Sequence, residues 1–238
     1  MTLTEPELGA FLVVFLRTAA VAMTAPVIGD SGVPMRARLV FCVAIAVALA
    51  ANRGGVTFAE LPAVAVLEVA SGIITGLTAR FVMARVAIAG QLIGLSLGLG
   101  FASEYDVHAG ESAGVLRTLA TTLSGLAFLL ANGLEAVVRG VATPASPLVL
   151  AGTGEALLRE GTAAFGHGLA LAAPIVLAAL VGNVGLAVMN RAAPAVNVFS
   201  IALSAILVLG GVLLLATAGG FIAGLSDVAR ESVHVLAP

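Results

Sequence analysis

The sequence predicts an all-α membrane protein, a bundle of several long, kinked helices broken by glycine and proline. Three observations carry that expectation. Hydrophobic residues make up 60% of the 238 positions and charged residues only 10%, with a mean hydropathy of +1.14, whereas a soluble domain carries about a quarter charged residues. Several apolar runs exceed the roughly 20 residues that one membrane span requires. Inside those runs the glycines fall four apart, a little more than one helical turn, so they form bare stripes along a helix. The length suits one integral-membrane domain over residues 1–238, without a separate soluble domain.

The first apolar helix is expected from about Leu8 to Ala25, interrupted by Arg17 and ended by Pro26. The acidic stretch MTLTEPELGAF lacks the basic start of a cleaved signal, so this helix is expected to remain in the mature protein. VIGDSGVPMRAR makes a tight link, and Leu39 to Ala51 forms a second run, short for a full span. After a turn at Asn52–Gly55, Thr57 and Glu60 fit a capping box, with Pro62 tolerable in the first turn that follows.

The helix so opened leads into EVASGIITGLTARFVMARVAIAGQLIGLSLGLGFA and is expected to reach about Ala102, roughly 60 Å of helix. Gly72 and Gly76 form one stripe, and Gly90, Gly94 and Gly98 another, with Gln91 beside it. Glycine costs about 1 kcal/mol against alanine in a helix, so the stripes need close approach of another helix. That partner is another subunit or a helix of the same chain, and spacing alone does not choose. Glu68 is a carboxylate at membrane depth, with Arg80 or Arg17 as partner, serving either a functional site or a structural ion pair.

SEYDVHAGES is the most polar segment. A further helix is expected from Ser112 to Val141 with Asn132-Gly133 in mid-course, followed by a loop, ATPASPLVLAGTG. Two uncharged runs come next, Gly161–Asn190 and Ala192–Ser226. Pro174 interrupts the first, and Asn190, Arg191, Pro194 and Asn197 form a polar helix break between them.

Several function classes drop out. With 13 acidic residues against 11 basic ones the net charge is -2, so nothing points to nucleic acid. Cys42 is the only cysteine, which excludes a disulfide framework, and His108, His167 and His234 lack a second ligand at metal spacing. No cofactor is expected. Gly94-Leu95-Ser96-Leu97-Gly98 matches a serine-nucleophile pattern, but that motif needs a strand-to-helix elbow. A small-solute transporter with a midplane binding site is the alternative class, and it predicts inverted repeats that the sequence does not display.

Taken in order, the segments resemble the FliR family of flagellar export-gate proteins, whose virulence counterparts are the SctT proteins of type III secretion. APVIGDSGVPMRAR matches the family's link after the first helix. Glu68, Gly72, Gly76 and Ala89-Gly90-Gln91 with Gly94 and Gly98 match its central helix, and Phe101-Ala102 with Asp106 its polar loop. Asn132-Gly133, Pro174, Asn183, Asn190-Arg191-Ala192-Ala193-Pro194 and Asn197-Val198-Phe199 match the later half. Val107, Ala195, Ala202 and Ser204 depart from the usual residues.

The resemblance implies a non-enzymatic subunit in a hetero-oligomeric export gate. It would assemble with FliP-like and FliQ-like subunits, assisted by FlhA-like and FlhB-like proteins, in the bacterial inner membrane at the flagellar basal body. Unfolded secreted proteins would pass through. The polar loop, about 102–117, would be the plug, with Phe101, Ala102, Ser103, Glu104, Tyr105, Asp106, Val107, His108 and Gly110 as its gate residues. Gly72, Gly76, Gly90, Gln91, Gly94 and Gly98 would pack against other subunits.

Overall fold

A computed structural model describes residues 4–30, 32–98 and 115–192, and beyond these 208, 210–212, 215–216, 219, 223–224 and 227. Six helices are delimited among them: α1 Glu5–Thr24, α2 Met35–Ala50, α3 Leu61–Ser96, α4 Val115–Leu130, α5 Gly133–Ala142 and α6 Pro147–Ala192. The fold is all-α, and the chain is a membrane protein. Glu5–Thr24, Leu61–Ser96 and Leu150–Met189 are each long and apolar enough to cross a membrane, while α4 and α5 pass only as a broken pair. The described residues group into two compact units, one of residues up to Met83 with Phe128–Thr162, the other of Ala84–Ala127 and residues from Ala163 on.

The helix ends follow local chemistry. Thr4 N–H donates to Glu7 Oε2 at 2.8 Å, so α1 opens three residues before the first apolar position and carries Pro6 in its first turn. Arg17 does not interrupt it. The Thr57–Glu60 signal is partly realised, since Thr57 N–H and Oγ1 both donate to Glu60 Oε2, at 3.3 and 3.0 Å.

α3 stops at Ser96, not near Ala102, because the chain turns at Gly98, whose φ of 73° is open to glycine and strained for other residues. The expected helix over 112–141 is divided. Asn132 takes φ 61°, ψ 31°, a left-handed conformation that asparagine tolerates, and α5 starts one residue later. Phe128, 1% exposed, packs onto Gly133, where an added Cβ would lie 2.3 Å from its ring.

The largest correction concerns α6. Residues 147–154, expected as loop, form its first two turns with Pro147 in the first position, where a missing N–H costs nothing. Pro174 is not a break. It sits inside α6 on an exposed face, so its ring points away from the packed side while Ala172, Ile175 and Ala179 stay buried. Asn190 and Arg191 belong to the last turn, and Pro194 and Asn197 lie outside the described residues.

In the first unit α1 occupies the middle. Val14, Val21 and Ala25 meet Ala46 of α2, Ala79 and Met83 of α3, Phe128 of α4, and Ala136, Val137 and Val141 of α5. These are mostly small side chains. Lipid removes the water-driven reason for apolar helices to associate, so close packing of small residues takes its place. Buried hydroxyls are satisfied within their own helices, Thr18 to Val14 O and Thr75 to Ser71 O, both at 2.8 Å. In the second unit Ala89 and Ile93 of α3, with Leu97 just past its end, pack on Ala172, Ile175 and Ala179 of α6.

Candidate functional site

Every fourth residue of α3 from position 68 reads Glu68, Gly72, Gly76, Arg80, and a spacing of four places them on one slowly curving row. α1 lies along that row. An added Cβ on Gly72 would sit 2.6 Å from the Arg17 carbonyl oxygen, and one on Gly76 would sit 2.0 Å from Thr24 Oγ1 and 2.8 Å from Ala25 N. Residue numbers rise together along both helices, so the two run parallel here. At Gly72 and Gly76 the close neighbour is the chain's own α1, one of the two partners that the spacing left open.

Both ends of the row are charged. At one end Arg80 Nη2 donates to Asp30 Oδ1 at 2.9 Å and to the Ala25 carbonyl at 3.3 Å. Asp30 Oδ2 also accepts from Val27 N–H at 3.2 Å, and Arg38 donates to the Asp30 carbonyl. The link between α1 and α2 is thereby folded back on the α1–α3 pair. Val27 takes φ 67° within it, a conformation that costs a branched residue about 1–3 kcal/mol and persists only where its surroundings hold it.

At the other end Glu68 is the centre of a buried cluster. Arg17 Nη1 reaches its Oε2 at 3.0 Å and Arg53 Nη1 its Oε1 at 2.8 Å, with Glu68 and Arg17 each 2% exposed and Arg53 10%. Ala145 N–H adds a bond to Oε1 at 3.2 Å. The two guanidiniums donate further, through Nη atoms, to the end of α5 and the residue that caps it, while the buried Nε of each meets no acceptor among the described residues. Arg17 bonds the Thr143 carbonyl and, at 2.7 Å, that of Gly140; Arg53 bonds Val141 O at 3.0 Å and Thr143 O at 3.4 Å. The Gly140 and Val141 carbonyls belong to the last turn of α5, carry the negative end of its dipole and lack partners within the helix, and Thr143 is the residue that caps it. One carboxylate and a helix C-terminus together balance two cations.

Of the two partners expected for Glu68, Arg17 is observed and Arg80 is not. Glu68 and Arg80 share one helix, 12 residues apart, and at 1.5 Å per residue that is about 18 Å. Arg53 was not anticipated as a partner; its signal was a cation in a turn, NRGG, flanking a span that contains an unpaired acid. Glu160 was also missed as a buried carboxylate. It is 1% exposed on α6 with Arg159 Nε 3.2 Å away, whereas Glu135 of α5 is 57% exposed and pairs with Arg139.

The cluster holds charge without offering it to a reaction, since each of its carboxylate oxygens already accepts from a cation. Ser96, the candidate nucleophile, ends α3 and donates to Ile93 O at 2.9 Å, so the strand-to-helix elbow is missing. Among the described residues no group of three His, Cys, Asp or Glu side chains is placed to hold a metal.

The second stripe lies beyond. Gly90 is buried and Gln91, Gly94 and Gly98 are half-buried, one position round α3 from the Ala89–Ile93–Leu97 ridge that packs on α6. α6 approaches closely at Gly168, where an added Cβ would lie 2.8 Å from the Arg85 carbonyl oxygen and from Ile88. The plug residues Phe101, Ala102, Ser103, Glu104, Tyr105, Asp106, Val107, His108 and Gly110 lie outside the described residues.

Comparison with known proteins agrees with these features. Residues 8–232 match the family described as bacterial export proteins, family 1. The flagellar biosynthetic protein FliR of Escherichia coli is 32% identical over 205 residues, covering 82% of this chain and 78% of that protein. FliR of Caulobacter vibrioides is 30% identical over 235 residues, covering 93% of each, and FliR of Aquifex aeolicus 30% identical over 222, covering 89% and 86%. With the match running through the Glu68 row, the glycine stripes and the Asn132–Gly133 break, this chain belongs to bacterial export proteins, family 1, as a member of the FliR family.

Proposed function

We propose that the chain is a non-enzymatic subunit of a flagellar type III protein export gate, working in the bacterial inner membrane at the basal body. It assembles there with FliP-like and FliQ-like subunits, next to FlhA-like and FlhB-like proteins, and lines the path of unfolded secreted proteins. The observation that carries this reading is the family match over residues 8–232, together with FliR relatives covered almost end to end.

Helix dimensions support it. α3 and α6, with 36 and 46 residues, reach about 54 and 69 Å at 1.5 Å per residue, against a hydrocarbon core of about 30 Å. α2, with 16 residues, is short for a span. Helices of such unequal length fit an assembly in which neighbouring subunits, as well as lipid, cover the apolar faces. Such faces are open among the described residues, for example Leu39, Val40, Val43 and Val47 on α2, and Leu177, Leu180, Val184 and Val188 on α6. Gly90, Gly94 and Gly98 with Gln91 form the stripe for a neighbouring subunit, and the loop over 102–117 is the plug.

The test is affinity purification from the chain's own membranes, followed by identification of the small membrane proteins that accompany it. FliP-like and FliQ-like chains are expected, and Gly94→Leu should abolish their recovery. A chain that purifies alone as a stable solute-binding monomer would instead make it a transporter. Deletion within 104–112 should leave the complex intact and raise ion leakage across the membrane; unchanged permeability would remove the plug assignment.

A further inference from the structure

Arg53 is the one charged member of the Glu68 cluster that no helix holds. Arg17 stands in the middle of α1 and Glu68 in α3, whereas Arg53 belongs to the turn between α2 and α3 and is the most exposed of the three. Its guanidinium nonetheless joins Glu68 to the carbonyls of Val141 and Thr143, at the end of α5 and in the connection to α6. The opposite end of α5 is the left-handed Asn132. A helix of 10 residues is thus bounded by a backbone break on one side and a polar clamp on the other.

We propose that Arg53 is a latch over the connection from α5 to α6. Seated, it ties the Val141 and Thr143 carbonyls to Glu68 of α3. Withdrawn with its turn, it frees the Val141 carbonyl and uncovers the 143–145 connection, while Arg17 keeps the end of α5 in place. Charge counting singles out Arg53 as the movable member. Loss of Glu68 would strand two buried cations, but departure of Arg53 leaves Arg17 and Glu68 as a neutral pair that still holds Gly140 and Thr143. The turn has its own seat on the first turn of α1. Val56 N–H donates to Pro6 O at 3.2 Å and Phe58 N–H to Glu5 Oε1 at 3.1 Å, while Gly9 and Gly55 allow the two backbones to touch. Displacing that first turn is therefore what lifts the latch, whatever passes through the assembly.

The test uses the full chain in its native membranes, with Cys42→Ala removing the one native thiol and Ala145→Cys as reporter. Maleimide labelling at 145 should rise about tenfold with Arg53→Gln and by a smaller factor with Glu5→Ala, which leaves the cluster intact and removes the acceptor for Phe58 N–H in the seat. Arg53→Lys should restore part of the protection, since it returns the charge beside Glu68 but has no second arm for Val141. A second reporter, Val14→Cys in the buried core of α1, should not change. Labelling at 145 within twofold of the parent would overturn the latch, and so would an equal rise at position 14. Should Arg53→Gln fail to accumulate, Glu5→Ala alone decides: unchanged labelling there refutes the proposal.

Discussion

Removing the charge of Glu68 is the sharpest test of how the first unit is held together. Glu68→Gln keeps the volume and leaves the Arg17 and Arg53 guanidiniums, now 2.8–3.0 Å from a neutral amide, without a full counter-ion. The dipole of α5 supplies only about half an elementary charge. Breaking a buried pair by removing one partner costs about 3–5 kcal/mol, a large part of the 5–15 kcal/mol by which a typical domain is stable. For a chain of this size that is a fall of about 10 °C in unfolding temperature. The companion variant makes the argument specific. Glu68→Gln with Arg53→Gln returns the buried charge to +1, its original value, and loses in exchange the bonds to Val141 and Thr143, each worth about 1 kcal/mol. The double variant should therefore unfold about 1–2 kcal/mol later than Glu68→Gln, a non-additivity that only coupled sites show. Thermal unfolding of the purified chain in detergent, and its steady-state level in membranes, read this directly. If the double variant is as unstable as the sum of the two single variants, charge balance is not what the cluster provides.

Gly76→Ala should push α1 off α3, because its Cβ would lie 2.0 Å from Thr24 Oγ1; a loss of about 1–3 kcal/mol is expected, and Thr24→Ala should recover part of it in the same unfolding assay. Gly133→Ala collides with the Phe128 ring at 2.3 Å, so Phe128→Leu, harmful by itself, should be less harmful in the Gly133→Ala background when both are compared by melting temperature. At Val27 the usual order of substitutions should invert. Glycine relieves the backbone at φ 67° and alanine does not, so Val27→Gly should melt no lower than Val27→Ala despite the smaller side chain.

Much of this was legible in the sequence because it was periodic. The four-residue repeat from Glu68 through Gly76 marks a helix face that must meet another backbone, and the apolar content sets the solvent. Partners were harder. Whether a glycine stripe is covered by a second subunit or by the chain's own α1 depends on tertiary topology, which the local spacing of Gly72 and Gly76 does not contain. Helix ends failed in an instructive way. Proline was read as a stop at Pro174 and within ATPASPLVLAGTG, yet Pro147 opens α6 and Pro174 is accommodated on its exposed side. In a membrane an unbroken helix satisfies its own backbone, so one missing N–H costs less than ending the helix would. Arg53 escaped because its turn looked self-sufficient, while its real partners lie 15 and about 90 residues away.

The row on α3 also explains why charge is retained in a chain that otherwise avoids it. A glycine stripe alone is ambiguous in register: sliding α1 by one turn, about 5.4 Å, would again set small residues against small residues. Lipid offers no penalty for such a slip, since the apolar faces remain in an apolar medium. The charged ends remove the ambiguity. A one-turn slip would draw Arg17 away from Glu68 and Ala25 with Asp30 away from Arg80, so both ends would fail together. The buried end is the more discriminating, because water reaches the Arg80–Asp30 pair, whose side chains are 43% and 59% exposed, but hardly reaches the Glu68–Arg17 pair. On this reasoning Gly72 and Gly76 determine how near α1 comes, Glu68 and Arg17 determine where it stops, and Arg53 extends that fixed point to α5. The buried carboxylate here is a register mark, which is why two cations, two carbonyls of the last turn of α5 and that of Thr143 are gathered around it.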